Sequence, residues 1–433
     1  MSGLVAARVL SDHFERVRLI DRDELPDGHE PRAGVPQARH THVLLTRGAT
    51  ILERMFPDLQ RDLRDAGAVP FNFGTDLKFR TYYGWAKRPF GDFAAYRCTR
   101  TLLESCVRRK VRRRPSIELM PKTIAKGLVT RNGAVVGVET NHGQIDADVV
   151  VEASGKASKM EQWIKGMGYV LPEPTVIDGL VGYGTQIFKI PPGHRDWHAL
   201  LVQPAPAKPD GRRGGSVFPI EGGNWHVTVT GYGGDYPPVE PREYLEFIRN
   251  FRIPDIYDAI SSAEPVSSVF GSRSTENRHL HLERAKQWPR GFLVIGDAAI
   301  HLNPVYAQGM TLAALAGEAL DACLAQGDDR LPERFHGGLD RAAQAAWLLA
   351  TSVDLQVPGH RGSPPPAGFG IVTFYMDRLM KVAPHHNPTA RRFAEVLHLV
   401  RAPSSLMTPG ILLPALMTRS RSAAEHAANP ATT

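Results

Sequence analysis

A chain of 433 residues, 42% hydrophobic and 22% charged, can build one cofactor domain with a second domain inserted into it, and its core needs no disulfides. Three cysteines (Cys98, Cys106, Cys323) form no CxxC pair, which fits a reducing, cytoplasmic setting, and neither an apolar membrane span nor a secretory leader is predicted. The net charge of +7 is concentrated in Arg108–Arg114, a run without interleaved aromatics, which predicts a solvated basic face at a helix C-terminus and no nucleic-acid partner.

The spacing of Leu4, Ala7, Val9 and Leu10 predicts an opening helix. Val17, Leu19 and Ile20 predict a strand ending at Asp21. Helical stretches follow around Val43–Met55 and Leu59–Asp65, separated by Pro57, and Asp76–Trp85 reads as one strand. A helix beginning near Thr99 leads to the basic run. From Ile117 to Val151 the pattern is short β-runs, with Asn132-Gly133 as a hairpin turn because both residues tolerate positive φ.

Residues 171–270 are rich in Pro and Gly, with aromatic strands at Gly182–Lys189, Ser216–Ile220 and Trp225–Gly231. They are expected to form an inserted antiparallel substrate domain between two parts of a cofactor domain, 1–170 and 271–330. A helical region is expected over 331–418, broken by a loop at 357–368, and residues 419–433 are expected to be a disordered tail. The apolar stretch Leu406–Met417, interrupted by Pro409 and Pro414, reads as packing.

A dinucleotide site needs a strand, a GxGxxG turn, a helix, and a second strand closed by an acid that bonds the ribose. Gly3 stands where the third glycine belongs, and Asp21 follows 18 positions later. The first strand and the earlier glycines are missing from the chain as given. The expectation is a start assigned about ten residues late, with weak or absent FAD binding by the 433-residue chain. A second signal is GFLVIGDAAIHLNPVYAQGMTLAALAGEAL, where Gly296-Asp297 follows a buried strand and Gly309 opens a helix. An acid after a strand can accept from ribitol hydroxyls, and a helix N-terminus suits a flavin's electron-rich edge.

This segment resembles the second FAD motif of the class A flavoprotein monooxygenases, nearest to the bacterial polyether-pathway olefin epoxidase-like group. RAGVPQARHTHVLL, CTRTLLESCV, PIEGGNWHVTVTG, SRSTENRHLHLERAKQWP and AWLLATSVDL resemble the same group, so the likeness runs from Gly3 to about Leu416. It implies an α/β fold: a Rossmann-like FAD domain, an inserted β-sheet domain and a C-terminal helical region. It also implies that Asp21 binds the adenosine ribose with Arg22 beside it, that Arg100 meets the phosphates, and that Gly296 and Asp297 serve the ribitol side. Pro304, Gln308, Gly309 and Met310 would line the flavin ring, with Gln37 and Arg39 in a loop alongside. NAD(P)H would reduce the flavin, and O2 would add to form a C4a-hydroperoxide that hydroxylates or epoxidises a bulky hydrophobic substrate.

Three departures from the family pattern stand out: EASGKAS, with Glu152, Lys156 and Ala157 around a matching Gly155; Ala307 where glycine is usual; and the missing N-terminal strand. Candidate substrate contacts are Tyr183, Phe188, Phe218 and Trp225, with His40 near the flavin. His40/His42, His279/His281 and His385/His386 lack a nearby acid or Cys set at metal spacing, so no metal site is expected. The rivals are a flavin-dependent reductase of isoprenoid double bonds, a flavin halogenase (disfavoured by the absence of a WxWxIP run), and a flavin-less binding module.

Overall fold

The computed structural model describes residues 1–194, 197–327 and 329–417, so the expected tail at 419–433 lies outside the described residues. The chain divides into two compact units. Among the described residues no helix is long and apolar enough to cross a membrane.

The first unit comprises Met1–Ala68, Cys98–Ile177 and Glu276–Thr351. Its opening helix, Ser2–Leu10, buries Leu4, Val5, Ala6, Ala7 and Val9. It packs on the helix Gly309–Leu324 at Gly317, where a Cβ would fall 2.4 Å from Val5 Cγ1. A bare glycine therefore sets how closely these two helices approach. Strand Val17–Ile20 runs parallel to Ile117–Met120, and Val150–Glu152 parallel to Phe292–Val294. The two parallel pairs are separate two-stranded sheets. The Asn132-Gly133 turn forms as its chemistry requires, with φ of 50° and 70°, between the antiparallel strands Ala125–Arg131 and Ala134–Thr140.

Phe292–Val294 is fully buried, and it is held from outside its own sheet. Trp288 stacks on Phe292 and donates to its carbonyl at 2.7 Å. His336, on the helix Leu331–Asp354, accepts the Val294 N–H through Nε2 at 3.3 Å. Burial pushes the His336 pKa down to about 3, so the ring is a neutral acceptor. Unfolded, it would protonate near its ordinary 6.5, so its contribution is complete above pH 6.5 and drains away as the pH falls towards 3. His336→Ala leaves a buried N–H unpaired. It is expected to cost about 1–3 kcal/mol at pH 7.5 in denaturant titrations, with the deficit shrinking at pH 5.

The second unit comprises Val69–Arg97, Asp178–Thr275 and residues from Ser352 onward. Its sheet has seven strands in the order Phe270–Ser272, Gly182–Lys189, Asn224–Gly231, Arg213–Ile220, Ala199–Val202, Leu77–Thr81 and Gly84–Trp85. All neighbours are antiparallel except Ala199–Val202 beside Leu77–Thr81, which are parallel. Asp76–Trp85 is therefore a hairpin and not the single strand expected. The Thr81 hydroxyl turns it by accepting the Tyr83 N–H at 3.1 Å. The segment joins this sheet through a long-range pairing that no local pattern signals. Five of the seven strands lie within the segment Asp178–Thr275 and two within Val69–Arg97.

Helices Phe369–Val382, Asn387–Leu397 and Pro409–Met417 complete the second unit. Leu406–Met417 packs only in part. Leu406, Ile411 and Ala415 are buried, while Leu413, Leu416 and Met417 are exposed.

Candidate functional site

Asp21 follows the strand Val17–Ile20, and both its carboxylate oxygens are engaged. Oδ1 accepts the Asp23 N–H at 2.9 Å, and Oδ2 accepts from Arg32 Nη1 at 3.0 Å. Arg32 also donates to Glu104 Oε1 at 2.5 Å and to Asp23 Oδ2 at 3.1 Å. Glu104 lies one turn into the helix Arg100–Arg112, which Thr99 caps by accepting the Leu102 N–H, and its other oxygen pairs with Arg100 Nη1 at 2.8 Å. Burial alone would raise the Glu104 pKa, but Arg100 and Arg32 override it and hold the carboxyl at about 2. Arg22 is exposed beside this network.

The basic run is only in part the solvated face expected: Arg112 and Arg113 are exposed, whereas Arg108 is buried. Arg108 is 4% exposed and donates to the Pro26 and Gly28 carbonyls at 2.5 and 2.9 Å, while Lys110 pairs with Asp62 at 2.9 Å. Arg112 and Arg114 pair with Asp27 and Asp12. The run clamps loops to the first unit.

The Gly296-Asp297 segment follows the buried strand Phe292–Val294. Gly296 has φ of +68°, and a Cβ there would fall 2.3 Å from Ser2 Oγ, so backbone conformation and space both demand glycine. This places the turn against the first helix, next to Gly3. The first helix also packs on the helix Arg100–Arg112, so the two sequence signals meet at one helix. Gly309 starts the helix Gly309–Leu324 with open space where a Cβ would stand, Gln308 precedes it fully buried, and Met310 is buried. Ala307 adopts φ of +55°, which explains why glycine is usual at this position. The Pro304–Tyr306 turn is pinned by Asn303, whose Oδ1 accepts from Val305 and whose N–H donates to Asn277 Oδ1 at 2.8 Å.

Asp297 borders a polar cavity of about 140 Å³, lined also by Lys156, Glu161, Glu276, Arg278 and His301. Here the hydrogen bond from Arg278 at 2.6 Å holds the Glu161 carboxyl below its ordinary range. His301 Nε2 is buried with no hydrogen-bond partner among the described residues. The unusual Glu152 accepts from the N–H and hydroxyl of Ser154, bracing the turn that carries Gly155 and Lys156 to this cavity.

Gln37 and Arg39 are exposed on the short turn Pro36–Arg39. His40 follows, buried, its carbonyl accepting from His42 Nδ1 at 2.8 Å. In the second unit, strand register sorts the four candidate aromatics onto opposite faces of the sheet. Phe188 lies directly opposite Trp225, and both belong to the core packed with Tyr244, Phe247 and Ile256. Tyr183 pairs with Thr230 and Phe218 with His226, on the other face. There Phe218 meets Phe71 and Phe73 edge-on, with the Arg97 guanidinium 4.2 Å from its ring centre.

Sequence reasoning missed Arg32, Glu104, Asn277, Asn303 and His301 as individuals. Each lay inside a segment noted for its likeness, but none carries a motif of its own.

No family model matches the chain. Protein Rv3254 of Mycobacterium tuberculosis is 29% identical over 377 residues, covering 82% of this chain and 78% of that protein. Among solved structures, the flavin-dependent brominase Bmp2 matches with a TM-score of 0.66 at 13% identity, over 96% of this chain and 95% of that one. The p-nitrophenol 4-monooxygenase PnpA of Pseudomonas putida matches with 0.63 at 16%, over 92% and 95%. The probable FAD-dependent monooxygenase PqsL of Pseudomonas aeruginosa matches with 0.58 at 15%, over 91% and 96%. The chain has the α/β fold of these proteins, with a seven-stranded sheet in its second unit.

Proposed function

We propose that this chain is an FAD-dependent monooxygenase that uses NAD(P)H and O2 to hydroxylate or epoxidise a bulky hydrophobic metabolite such as a polyketide or terpenoid. The observation that carries the reading is that the first helix packs both on the Gly296-Asp297 turn, through Ser2, and on the helix that carries Arg100 and Glu104. Donors, acceptors and a helix N-terminus meet there, as a dinucleotide's ribose, pyrophosphate and ribitol require. The likeness in fold to PnpA and PqsL supports the same class.

In this reading Asp21, fixed by Arg32, holds the adenosine ribose, and Arg100 faces the phosphates with its charge guaranteed. Asp297 accepts from the ribitol, and Gly296 keeps that approach open. The backbone at Gly309 and Met310 offers its first N–H groups to the ring, and Pro304 bounds it. Bound flavin, once reduced, supplies the activation of O2 and the delivery of one oxygen atom. The protein's own tasks are to position the substrate and exclude water. In this reading Tyr183 and Phe218, on the sheet face opposite the core around Phe188 and Trp225, contribute to both.

The test is a flavin titration on the 433-residue chain and on an N-terminally extended form, followed by O2 uptake with NADH and NADPH. Asp297→Ala is expected to weaken FAD binding at least tenfold, about 1.4 kcal/mol, in whichever form binds. Flavin binding with O2 uptake that produces an oxygenated product supports the reading. Reoxidation only by an alkene acceptor would replace it with a double-bond reductase, and bromide-dependent product would replace it with a halogenase. No flavin bound by either form overturns it.

A further inference from the structure

The strand Asn277–His279 and the turn after it carry two histidines that the flavin reading does not use. His279 and His281 are 5% and 7% exposed, and their rings lie 4.0 Å apart. The chain at His281 adopts a left-handed conformation, φ 51° and ψ 43°, which returns its ring to the side of His279. Glu283 follows two residues later, and Asp340 reaches the same point from the helix Leu331–Asp354. His279 Nε2 lies 3.6 Å from Asp340 Oδ1 and 3.9 Å from Glu283 Oε2, and His281 Nδ1 lies 3.2 Å from Glu283 Oε1. One ligand atom from each of the four residues falls within 4.8 Å of every other. Three of the four stand two residues apart in the sequence, and the nearby acid Glu283 was overlooked there; the fourth, Asp340, comes from a separate helix.

We propose that His279, His281, Glu283 and Asp340 form a binding site for one divalent transition-metal ion, Zn2+ by the chemistry of its donors, tying the strand Asn277–His279 and the turn after it to the helix Leu331–Asp354. The spacing suits it: four ligands about 2.0–2.1 Å from a tetrahedral Zn2+ stand roughly 3.3 Å apart. Charge suits it also, since two neutral imidazoles and two carboxylates balance a dication in a mostly buried place. His281 has an outer partner of the kind metal-bound histidines use. Its Nε2 bonds Thr175 Oγ1 at 2.7 Å, which assigns Nδ1 to the shared centre. Arg284, which approaches Glu283 Oε1 at 3.2 Å, is mostly exposed and free to turn to solvent.

The position gives the metal a consequence. His279 pairs with Ile300, three residues beyond Asp297, so the metal would stiffen the strand pair that presents that acid. The proposal does not depend on the flavin reading.

Elemental analysis of protein purified without chelator, followed by Co2+ and Zn2+ titration of chelator-treated protein, tests it. Expected are one metal per chain, tetrahedral Co2+ absorption displaced by Zn2+, and a rise in Tm with Zn2+. His279→Gln and Asp340→Asn should abolish stoichiometric binding, and Thr175→Val should weaken it about 10- to 100-fold while leaving all four ligands in place. Failure of the unmutated protein to bind either ion one-to-one overturns the site, as does binding undiminished in His279→Gln and Asp340→Asn. Should those two variants not fold, the Co2+ spectrum of the unmutated protein and the Thr175→Val affinity decide the matter.

Discussion

Replacing Glu104 with Gln is expected to destabilise the protein by about 3–5 kcal/mol at pH 7, the scale of breaking a buried charge network from one side. Glu104 pairs with Arg100, Arg32 and Arg108 inside the first unit, where Arg32 also meets Asp21 and Asp23, and Arg100 and Arg108 are 6% and 4% exposed. Removing its charge strands cations that no solvent reaches. The depression of its pKa from 4.5 to about 2 gives an independent figure of about 3 kcal/mol. For a carboxyl held low in the fold, that stability is complete above pH 4.5 and is lost as the pH falls through 2. Urea titrations of the two proteins should therefore differ most at pH 6–7 and converge on acidification. A gap below about 1 kcal/mol at pH 7 would mean that the network is solvated and the energetic argument is wrong.

Gly296→Val is expected to cost about 3 kcal/mol or more and to abolish flavin binding. A β-branched residue at φ +68° is strained even in open space, and here its Cβ would overlap Ser2 Oγ at 2.3 Å. Relief requires moving the first helix from the turn that presents Asp297. Gly309→Ala is the paired control, since a Cβ there meets nothing within 4 Å, so stability should hold within about 0.5 kcal/mol. If the backbone at Gly309 lies against the flavin ring, this second variant should still lose FAD affinity. Thermal melts with flavin fluorescence separate the two effects. Equal melting of Gly296→Val and the parent protein would sink the close-packing argument.

Local signals in the chain were legible wherever the physics is local. The 3.6-residue spacing of Leu4, Ala7 and Leu10 marked a helix, Asn132-Gly133 marked a turn, and Gly296-Asp297 after a run of apolar residues marked a strand meeting a ligand-type turn. Each depends on dihedral preferences and burial periodicity that a few neighbouring residues determine. The departures were legible as well, and the structure supplies a reason for one of them, the turn-bracing by Glu152, while the left-handed backbone at Ala307 favours the glycine that it lacks.

What the sequence by itself determined, then, was the alternation of elements, the glycines that turns require, and the two segments that resemble flavin motifs. The tertiary structure alone decided which charges neutralise one another and which side chains share a face. Arg108 reads as a surface charge until the loop Pro26–Gly28 is seen folded over it. Phe188 and Trp225 look no different from Tyr183 and Phe218 until the register of three strands assigns each pair its face. His279 and Asp340 are 61 positions apart and meet only because a helix crosses a strand. Register and ion pairing are long-range because they depend on which surfaces the chain brings together to bury. A one-residue shift in either would reverse the result while leaving every local preference satisfied.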